Sequence, residues 1–382
     1  MSLLTDASSE MIYPLLPSFL TGTLRAAPAF VGLLEGLAES VASVLKIVSG
    51  RLSDRLRRRK PLIVAGYALS SFARPLVALA AAPWHVLLVR VSDRIGKGVR
   101  GAPRDALLAE VTPREELGRA FGYQRAMDHA GAVVGPLVAS AILLVWTDVR
   151  LVFALAAVPA LASVLVLVFG VHDVPAASAP APAPSVTPSA PALHVPTPGL
   201  GRLLAVIALF TLGNSSDAFL LLRAQEAGVA LPLIPLLWTA HHVVKSATST
   251  AGGALSDRIG RRATIAAGWG LYALAYAGLG LAMRAWQVWA LFALYGLHHA
   301  LTEGPERAMV AEMAPGERRG RAFGLYHAVT GALLLPASLL TGALWQAVSP
   351  AAALLTGAAL ALAAAAAMLA AVRDPVRDPA RA

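Results

Sequence analysis

Seven charged side chains fall within the sixteen residues Arg90–Asp105, inside a chain that is otherwise strongly apolar. The same stretch contains three glycines in the pattern GxGxxG, which in dinucleotide-binding proteins cradles a pyrophosphate. That chemistry needs a strand before the first glycine and a helix that opens at the last one. Here an Ala/Leu-rich run precedes the glycines and Pro103 follows them. The pattern therefore argues against nucleotide binding, and the charges need another explanation.

Wound as an α-helix, this segment places all seven charges on one arc of about 140°. An ionised side chain facing lipid costs roughly 2.5–3.5 kcal/mol or more, so the arc must face water or partner charges. Other apolar segments carry ionisable side chains that could be those partners: Asp6, Glu10, Glu35, Glu39, Lys46, Arg125, Asp128, His129, Asp217, His241, His242, Lys245, His299, Glu303 and Glu306. For each of them, an ion pair that holds helices in register is the alternative to a transport role. Glu35 and Glu39 are expected to neutralise the arc.

The elements that position these residues are membrane-spanning helices. The chain has 382 residues, of which 57% are hydrophobic and only 14% charged, against roughly 25% charged in soluble proteins. Its apolar runs are about 20 residues long, enough to cross a hydrocarbon core of roughly 30 Å. The sequence therefore predicts an all-α polytopic membrane protein with twelve transmembrane helices. The predicted spans are 2–22, 28–50, 61–81, 84–110, 119–147, 149–171, 201–223, 229–253, 263–283, 285–312, 321–347 and 350–372.

The net charge of +10 follows membrane topology, so we expect no nucleic acid partner. Basic residues fill alternate loops and the tail, as at Arg51, Arg55, Arg57, Arg58, Arg59, Lys60, Arg258, Arg261, Arg262, Arg318, Arg319, Arg321, Arg373, Arg377 and Arg381. The positive-inside rule then places both termini in the cytoplasm, with the protein in the inner (plasma) membrane. An aromatic belt is predicted at the outer ends of the helices, formed by Trp84, Trp146, Trp286, Trp289 and Trp345.

A repeat at an offset of about 202 residues divides the chain into two halves. "GRLSDRLRRRK" from Gly50 returns as "GALSDRIGRRA" from Gly253, "GRAFGYQRA" returns as "GRAFGLYHA", and "SSE" ending at Glu10 returns as "SSD" ending at Asp217. Parallel duplication of six helices is one repeat layout of secondary transporters. We predict a six-helix bundle over 1–172, a Pro/Ala-rich cytoplasmic linker over 173–200, a second bundle over 201–372 and a tail over 373–382. Compared with its counterpart in the second half, the first helix is expected to be about five residues shorter before Glu10.

Several classes of chemistry find no support. The chain has no cysteine, which excludes disulfides and thiolate ligands. The histidine pairs at 241–242 and 298–299 lack the i, i+4 spacing of a helical metal site, although a site built across helices stays open. We favour histidines that are hydrogen-bonded inside a cavity, and we expect no metal, cofactor or enzymatic activity. No Walker A pattern occurs, which argues against an ATP-driven pump.

The loop residues resemble the signature of the major facilitator superfamily, G-x-x-x-D-[RK]-x-G-[RK]-[RK]. The second-half copy matches at Gly253, Asp257, Arg258, Gly260, Arg261 and Arg262. The first-half copy matches at Gly50, Asp54, Arg55, Arg58 and Arg59, with Arg57 in place of the glycine. Arg94, Lys97 and Gly98 resemble the fourth-helix motif of the family. "GAVVGPLVAS", with Gly131, Gly135 and Pro136, resembles the motif of its proton-coupled antiporter and efflux branch.

The resemblance implies a central cavity on the first, fourth, seventh and tenth helices. It would be lined by Asp6, Glu10, Arg94, Lys97, Asp217, His299 and Glu303. A carboxylate that alternates between a basic partner and water can couple proton to substrate movement. We expect Glu10 and Asp217 to carry protons, with Asp6 and Glu39 as further candidates. The loop-signature residues, together with Arg104 and Asp105, are expected to gate the cytoplasmic end.

The predicted function is proton-coupled export of a small organic solute by alternating access. Basic residues on the fourth helix favour an anionic or zwitterionic substrate. Uptake of an organic anion, and multidrug or metal-ion efflux, are alternatives within the same class. A membrane sensor that transports nothing is an alternative from another class, although neither the linker nor the tail resembles a signalling domain. The expected partners are a small-molecule substrate, protons and the lipid bilayer, and the carrier is expected to be a monomer.

Overall fold

The computed structural model describes residues 1–56, 59–112, 117–170, 198–313 and 319–373. Within these ranges the regular structure is helical and no strand occurs. Twelve helical segments, α1 to α12, follow one another with short connections. They are α1, Ser2–Ile12 continued by Tyr13–Leu15, Leu16–Ser18 and Phe19–Thr23; α2, Pro28–Leu56; α3, Lys60–Ala73 and Arg74–Leu79; α4, Pro83–Val111; α5, Leu117–Val145; α6, Val149–Leu155 and Ala157–Gly170; α7, Pro198–Gly213 and Ala218–Glu226; α8, Leu231–Leu233 and Ile234–Ile259; α9, Arg261–Leu281; α10, Ala285–Glu312; α11, Arg319–Ala347; and α12, Pro350–Ala371.

The predicted all-α, twelve-helix fold is confirmed, and the observed helices follow the predicted spans closely. Three boundaries differ most: α2 continues to Leu56, α8 continues to Ile259, and α7 begins at Pro198, inside the predicted linker. Ionisable side chains at the ends of these helices made the apolar run shorter than the helix that contains it. The rest of the linker lies outside the described residues, as do Arg57, Arg58 and the tail beyond residue 373.

Eight of the twelve described segments are apolar and long enough to cross a bilayer by composition alone. The remaining four are α1, α4, α8 and α10. These four carry most of the ionisable side chains singled out in the sequence, which lowers their hydropathy below that of a lipid-facing helix. The chain therefore places its polar side chains on a minority of helices and covers the rest with apolar surface. The protein is an integral, multi-pass membrane protein.

Consecutive helices run in opposite directions, so the bundle has two ends. We call the end where α1, α3 and α9 begin, with Lys60 and Arg261, the basic end; the other is the opposite end. The two halves meet along α2 with α11 and along α5 with α8. Between α2 and α11, a Cβ added to Gly342 near the opposite end would lie 2.8 Å from the Cα of Ala29. Nearer the middle of the same two helices, the Ser40 Oγ donates to the Gly331 carbonyl at 3.3 Å.

The contact between α5 and α8 follows the same pattern. The Ser140 Oγ donates to the Pro232 carbonyl at 2.5 Å near the opposite end, and the Thr239 Oγ1 reaches the Val133 carbonyl at 3.5 Å near mid-helix. These four contacts between the halves lie between the opposite end and the middle of the bundle.

Tryptophans at the opposite end follow the predicted belt only in part. Trp84, Trp146 and Trp286 are exposed on the protein surface, as interfacial residues should be. Trp345 is buried, with its ring 5.5 Å from that of Phe219. The belt prediction is wrong for Trp345, because position along a helix does not tell which face is covered by a neighbour.

Candidate functional site

Asp93 is the centre of a buried charge network on α3 and α4. Its Oδ1 accepts from the Arg74 Nε at 2.7 Å. Guanidinium nitrogens of Arg90 and Arg94 lie 3.9 and 3.7 Å from its Oδ2. All four side chains are almost fully buried. One carboxylate thus contacts three arginines and offsets part of their charge, which would be costly to bury unpaired.

Carboxylates of α2 complete the neutralisation of α4. Glu35 accepts two hydrogen bonds from Arg90, each 3.0 Å long, in the bidentate geometry that gives strong charge-assisted pairs. Glu39 Oε1 lies 2.8 Å from the Arg94 Nε, as an ion pair without hydrogen-bond alignment. Both α2 carboxylates therefore neutralise the basic arc in this state. Glu39 stays a prediction as a proton carrier.

Two further cations of α4, Arg100 and Lys97, have different surroundings. Arg100 is buried, donates to the Ser70 Oγ at 2.6 Å and lies 4.4 Å from the Tyr67 ring centroid. Lys97 is exposed, and within the described residues no carboxylate oxygen lies in ion-pair contact with its Nζ. The charges of Asp6, Glu39 and Arg94 lie within electrostatic range of this ammonium group. Lys97 is thus the cation of α4 that is open to an anionic ligand.

Glu10 links the two halves of the molecule. Its Oε2 accepts a hydrogen bond of 2.8 Å from the Nε1 of Trp238, which belongs to α8. One turn further along α1, the Tyr13 ring lies 5.4 Å from the Trp238 ring and 5.1 Å from the Arg90 guanidinium. Tyr13 therefore connects Glu10 and Trp238 with the charge network of α4.

Asp217, the repeat counterpart of Glu10, follows a break in α7 at residues 214–216. Its Oδ1 accepts from the Tyr295 hydroxyl at 2.5 Å. Two α9 tyrosines satisfy carbonyl groups around the break, Tyr272 at Gly213 (2.9 Å) and Tyr276 at Ser215 (3.5 Å). Non-helical backbone at membrane depth needs such partners. The repeat therefore differs between halves, since Glu10 sits within a continuous helix.

Ionisable groups of α8 and α10 form a second cluster in the C-terminal half. The Lys245 Nζ donates to Glu303 Oε1 at 2.5 Å, and the His299 Nδ1 lies 3.4 Å from the same oxygen. The predicted residues His299 and Glu303 thus lie together. Lys245 and His299 both contact the Glu303 carboxylate. All three side chains are partly accessible.

Three further histidines, His241, His242 and His298, and their aromatic neighbours pack next to that cluster. His241 stacks on Tyr295 at 5.0 Å, and the His298 and His299 rings lie 4.3 Å apart. His298 is buried, and neither of its ring nitrogens has a hydrogen-bond partner. Both ring nitrogens of His242 are also without one. The expectation of hydrogen-bonded histidines is therefore wrong for these two. No group of three or more metal-ligating side chains forms within the described part of the chain.

The second-half copy of the loop signature forms a compact turn at the basic end. Gly260 has φ 96° and ψ 150°, a conformation restricted to glycine. Arg261 pairs with Asp257 at 2.6 Å and with Glu312 of α10 at 3.1 Å. Gly253 and Arg258 lie on the last turns of α8. The signature thus ties the connection between α8 and α9 to α10.

The first-half copy can be compared only in part. The surroundings of Gly50 and the side chains of Asp54 and Arg55 are not described, and Arg58 lies outside the described residues. Arg104 contacts Asp105 at 2.9 Å. The predicted gating role of this pair together with Asp54 therefore stays a prediction.

The antiporter-like motif brings α1 and α5 into close contact. A Cβ on Gly131 would lie 2.5 Å from the Leu3 carbonyl oxygen, and one on Gly135 would lie 2.9 Å from the Ala7 Cα. Pro136 lies within α5 beside these glycines. Asp6 lies at this contact too, with the charges of Asp128, Lys97 and Arg100 in electrostatic range. The motif thus positions the α1 carboxylates.

Twelve helices in two related halves, with ionisable groups buried where the halves meet, define a secondary transporter. Comparison with known proteins identifies the family, because the family model described as the Major Facilitator Superfamily matches residues 1–223 and 203–382. The chain belongs to this superfamily. Its members are transporters and not enzymes.

Three relatives are informative. An uncharacterized MFS-type transporter of Methanocaldococcus jannaschii is 34% identical over 371 residues, which cover 94% of this chain and 90% of that protein. Multidrug resistance protein MdtH of Photorhabdus laumondii is 34% identical over 154 residues, or 39% of this chain and 38% of its own. The crystal structure of a bacterial homologue of the human lysosomal transporter Spinster superposes with a TM-score of 0.79 at 16% identity, covering 99% and 96% of the two chains.

Several residues of the site were not predicted from the sequence. Arg74, Tyr13, Trp238 and Tyr295 all bond or stack on predicted residues but were not singled out. Each is a polar or amphipathic side chain in the middle of an apolar helix, where a buried N–H or O–H usually requires a partner. That requirement was the available signal.

Proposed function

We propose that the protein is a proton-coupled carrier that exports a small organic solute with an anionic or zwitterionic group. The observation that carries this proposal is the hydrogen bond from Trp238 to Glu10. It joins the halves through a carboxylate, which is a group that can gain or lose a proton.

The coupling follows from the strength of that bond in the two protonation states. A hydrogen bond to an ionised acceptor is roughly twice as strong as one between neutral groups. Ionised Glu10 therefore stabilises the state in which the halves are joined at the opposite end, and protonation weakens the link. A proton bound at Glu10 thus biases the carrier towards the alternative state, which is the requirement for coupling.

The orientation of the carrier sets the direction of transport. With both termini in the cytoplasm, the basic end is cytoplasmic and the state described is open inward. Glu10 would lose its proton to the cytoplasm here and gain one from outside in the alternative state. Protons then move inward while substrate moves outward. Asp217 with Tyr295 offers a second carboxylate for the same role.

Lys97 supports an anionic group on the substrate. Arg74, Arg90 and Arg94 are neutralised by carboxylates, so their charge is not available to a ligand, whereas the exposed Lys97 ammonium is. On the other side, Lys245 and His299 share one carboxylate, that of Glu303. We assign Lys97 to the anionic group of the substrate. Glu303 is paired with Lys245 in this state, so a cationic group of a zwitterionic substrate would bind Glu303 by displacing that ammonium group.

Multidrug efflux is a second candidate, favoured by the 34% identity with multidrug resistance protein MdtH over 154 residues. It shares the export direction and the use of protons, but predicts broad selectivity that extends to lipophilic cations.

The test is transport by the purified protein in proteoliposomes under an imposed pH gradient. Labelled anionic, zwitterionic and lipophilic cationic solutes are compared in the same vesicles. We expect an anionic or zwitterionic solute to move against the proton flow, and to lose that movement when a protonophore collapses the gradient. Transport of cations alone would favour multidrug efflux. Movement with the proton flow would indicate uptake, and insensitivity to the gradient would exclude proton coupling.

A further inference from the structure

Glu306 of α10 is a buried carboxylate with neutral hydrogen-bond donors. Its side chain is 8% exposed. The Nε1 of Trp269 on α9 donates to Oε1 at 3.1 Å, and the hydroxyl of Tyr326 on α11 donates to Oε2 at 3.1 Å. Glu306 thus ties together three helices of the C-terminal half, beside Pro305.

Four carboxylates of the site have a cationic partner that Glu306 lacks, whereas Glu10 and Asp217 resemble Glu306 in accepting from neutral donors. Asp93, Glu35, Glu39 and Glu303 each lie within 4 Å of a cationic nitrogen. Glu306 has no such contact within the described residues. The charges in its range are Glu303 and Arg307 of its own helix, while α9 and α11 present the neutral Trp269 and Tyr326.

The repeat places a permanently charged group at the equivalent position of the first half. An offset of 202 residues takes Arg104 to Glu306 and Gln124 to Tyr326. With the Gln124 amide turned to accept, its oxygen lies 2.6 Å from an Arg104 nitrogen. Both halves therefore join the fourth and fifth helices of the repeat by a polar contact at this level. Arg104 keeps its charge at all physiological pH values, whereas a carboxyl group can exchange a proton.

Burial makes that difference consequential. An ionised carboxylate removed from water costs free energy that a nearby cation normally offsets. Two neutral donors offset only part of it, and the binding of a proton offsets the remainder. Tyr326 is only partly buried, so a proton can reach this site on the side of its hydroxyl group.

We propose that Glu306 is a proton-binding site of the carrier, separate from Glu10 and Asp217. Its protonation changes the bonds to Trp269 and Tyr326, because a protonated carboxyl group accepts more weakly and gains a donor. Tyr326 lies on α11 five residues before Gly331, which contacts Ser40 and Ser43 of α2. A proton at Glu306 would therefore act on the α2–α11 contact between the halves. This inference rests on the proposed proton coupling.

The direct test is infrared difference spectroscopy of the purified full-length protein during a pH titration. We expect wild type to show a carbonyl band of a protonated carboxylic acid that is missing in Glu306→Gln. The band should persist in Glu226→Gln, whose carboxylate pairs with Arg223 at the opposite end. In Tyr326→Phe the band should remain and titrate at higher pH, because the ionised form loses one donor. An unchanged band in Glu306→Gln would overturn the proposal.

Transport assays separate this inference from the proposed function. If wild type shows no gradient-driven transport, the proposed function fails, and the infrared band alone decides whether Glu306 binds a proton. If wild type is gradient-driven, Glu306→Gln should lose at least tenfold of its response to the gradient and keep exchange of substrate without a gradient. A full response in folded Glu306→Gln would overturn its role in coupling. Where Glu306→Gln does not fold, the shift in Tyr326→Phe decides, and no shift counts against the proposal.

Discussion

The indole Nε1 of Trp238 on α8 donates a 2.8 Å hydrogen bond to the carboxylate of Glu10 on α1, joining the two halves of the molecule. Trp238 is almost fully buried, and its ring also stacks on His241 at 5.1 Å. The bond therefore connects a carboxylate of the first half with the aromatic and histidine cluster of the second. Loss of this hydrogen bond should change the relative populations of the two states of the carrier.

Trp238→Phe keeps an aromatic ring and removes the N–H donor. A hydrogen bond to a charged group contributes about 1.5–3 kcal/mol, so we expect the population of the state joined at the opposite end to fall about tenfold or more relative to the other. Because the chain has no cysteine, spin labels at Trp146→Cys and Met283→Cys can report the separation of the halves at that end. Trp286→Phe, at an exposed position, should leave the distance distribution unchanged; an unchanged distribution in Trp238→Phe would show that the bond does not hold the halves together.

Asp93→Asn should strongly destabilise the first half. The substitution leaves Arg74 without its carboxylate partner and removes the charge facing Arg90 and Arg94, and breaking a buried ion pair typically costs about 3–5 kcal/mol. Thermal unfolding of the detergent-solubilised protein measures the effect. Asp105→Asn is the matched control, because the Asp105 side chain is half exposed and a surface pair contributes at most about 1 kcal/mol. Equal effects of the two substitutions would mean that the network around Asp93 does not stabilise the fold.

Gly135→Leu tests the close contact of α1 with α5. A Cβ at this position would come within 2.9 Å of the Ala7 Cα, so the helices must move apart, at a cost of about 1–3 kcal/mol for overpacking. Gly270→Leu is the control, since a Cβ there meets nothing within 4 Å. We expect a lower unfolding temperature for Gly135→Leu alone, and comparable values would contradict the contact.

Gly260→Ala should strain the turn between α8 and α9. The backbone conformation of Gly260 is one that a residue with a Cβ adopts only at a cost of about 1–3 kcal/mol. Gly253→Ala, in a helical position with open space around it, should be neutral or slightly stabilising. We expect Gly260→Ala to slow transport more than Gly253→Ala, as measured by initial rates in proteoliposomes. Equal rates would argue against a gating role for the turn.

The helical framework was predictable from hydropathy, because a bilayer of fixed thickness sets the length of each apolar run. The charged arc of α4 was predictable as well, because helical periodicity alone puts Arg90, Asp93 and Arg94 on one face. A neutralising role for Glu35 and Glu39 followed from the charge of that face, whereas the particular partner of each carboxylate did not.

Contacts between helices that are distant in the chain could not be predicted from the sequence. Periodicity gives the face on which Glu10 lies, but not that Trp238 of the other half faces it. The break in α7 was also hidden, because "SSE" and "SSD" occupy equivalent places in the repeat while the backbone differs. Burial of His298 without partners could not be inferred from spacing, which says nothing about the neighbours a side chain meets.

The central claim is that protonation of Glu10 is coupled to transport, and Glu10→Gln tests it most directly. Gln keeps the size of the side chain and an acceptor for Trp238, but cannot bind and release a proton. In proteoliposomes, Glu10→Gln should abolish transport driven by a pH gradient and preserve exchange of substrate across the membrane without a gradient. Asp217→Asn, examined in parallel, shows whether the second carboxylate shares the role. Full gradient-driven transport by both variants and by the double variant would contradict the account.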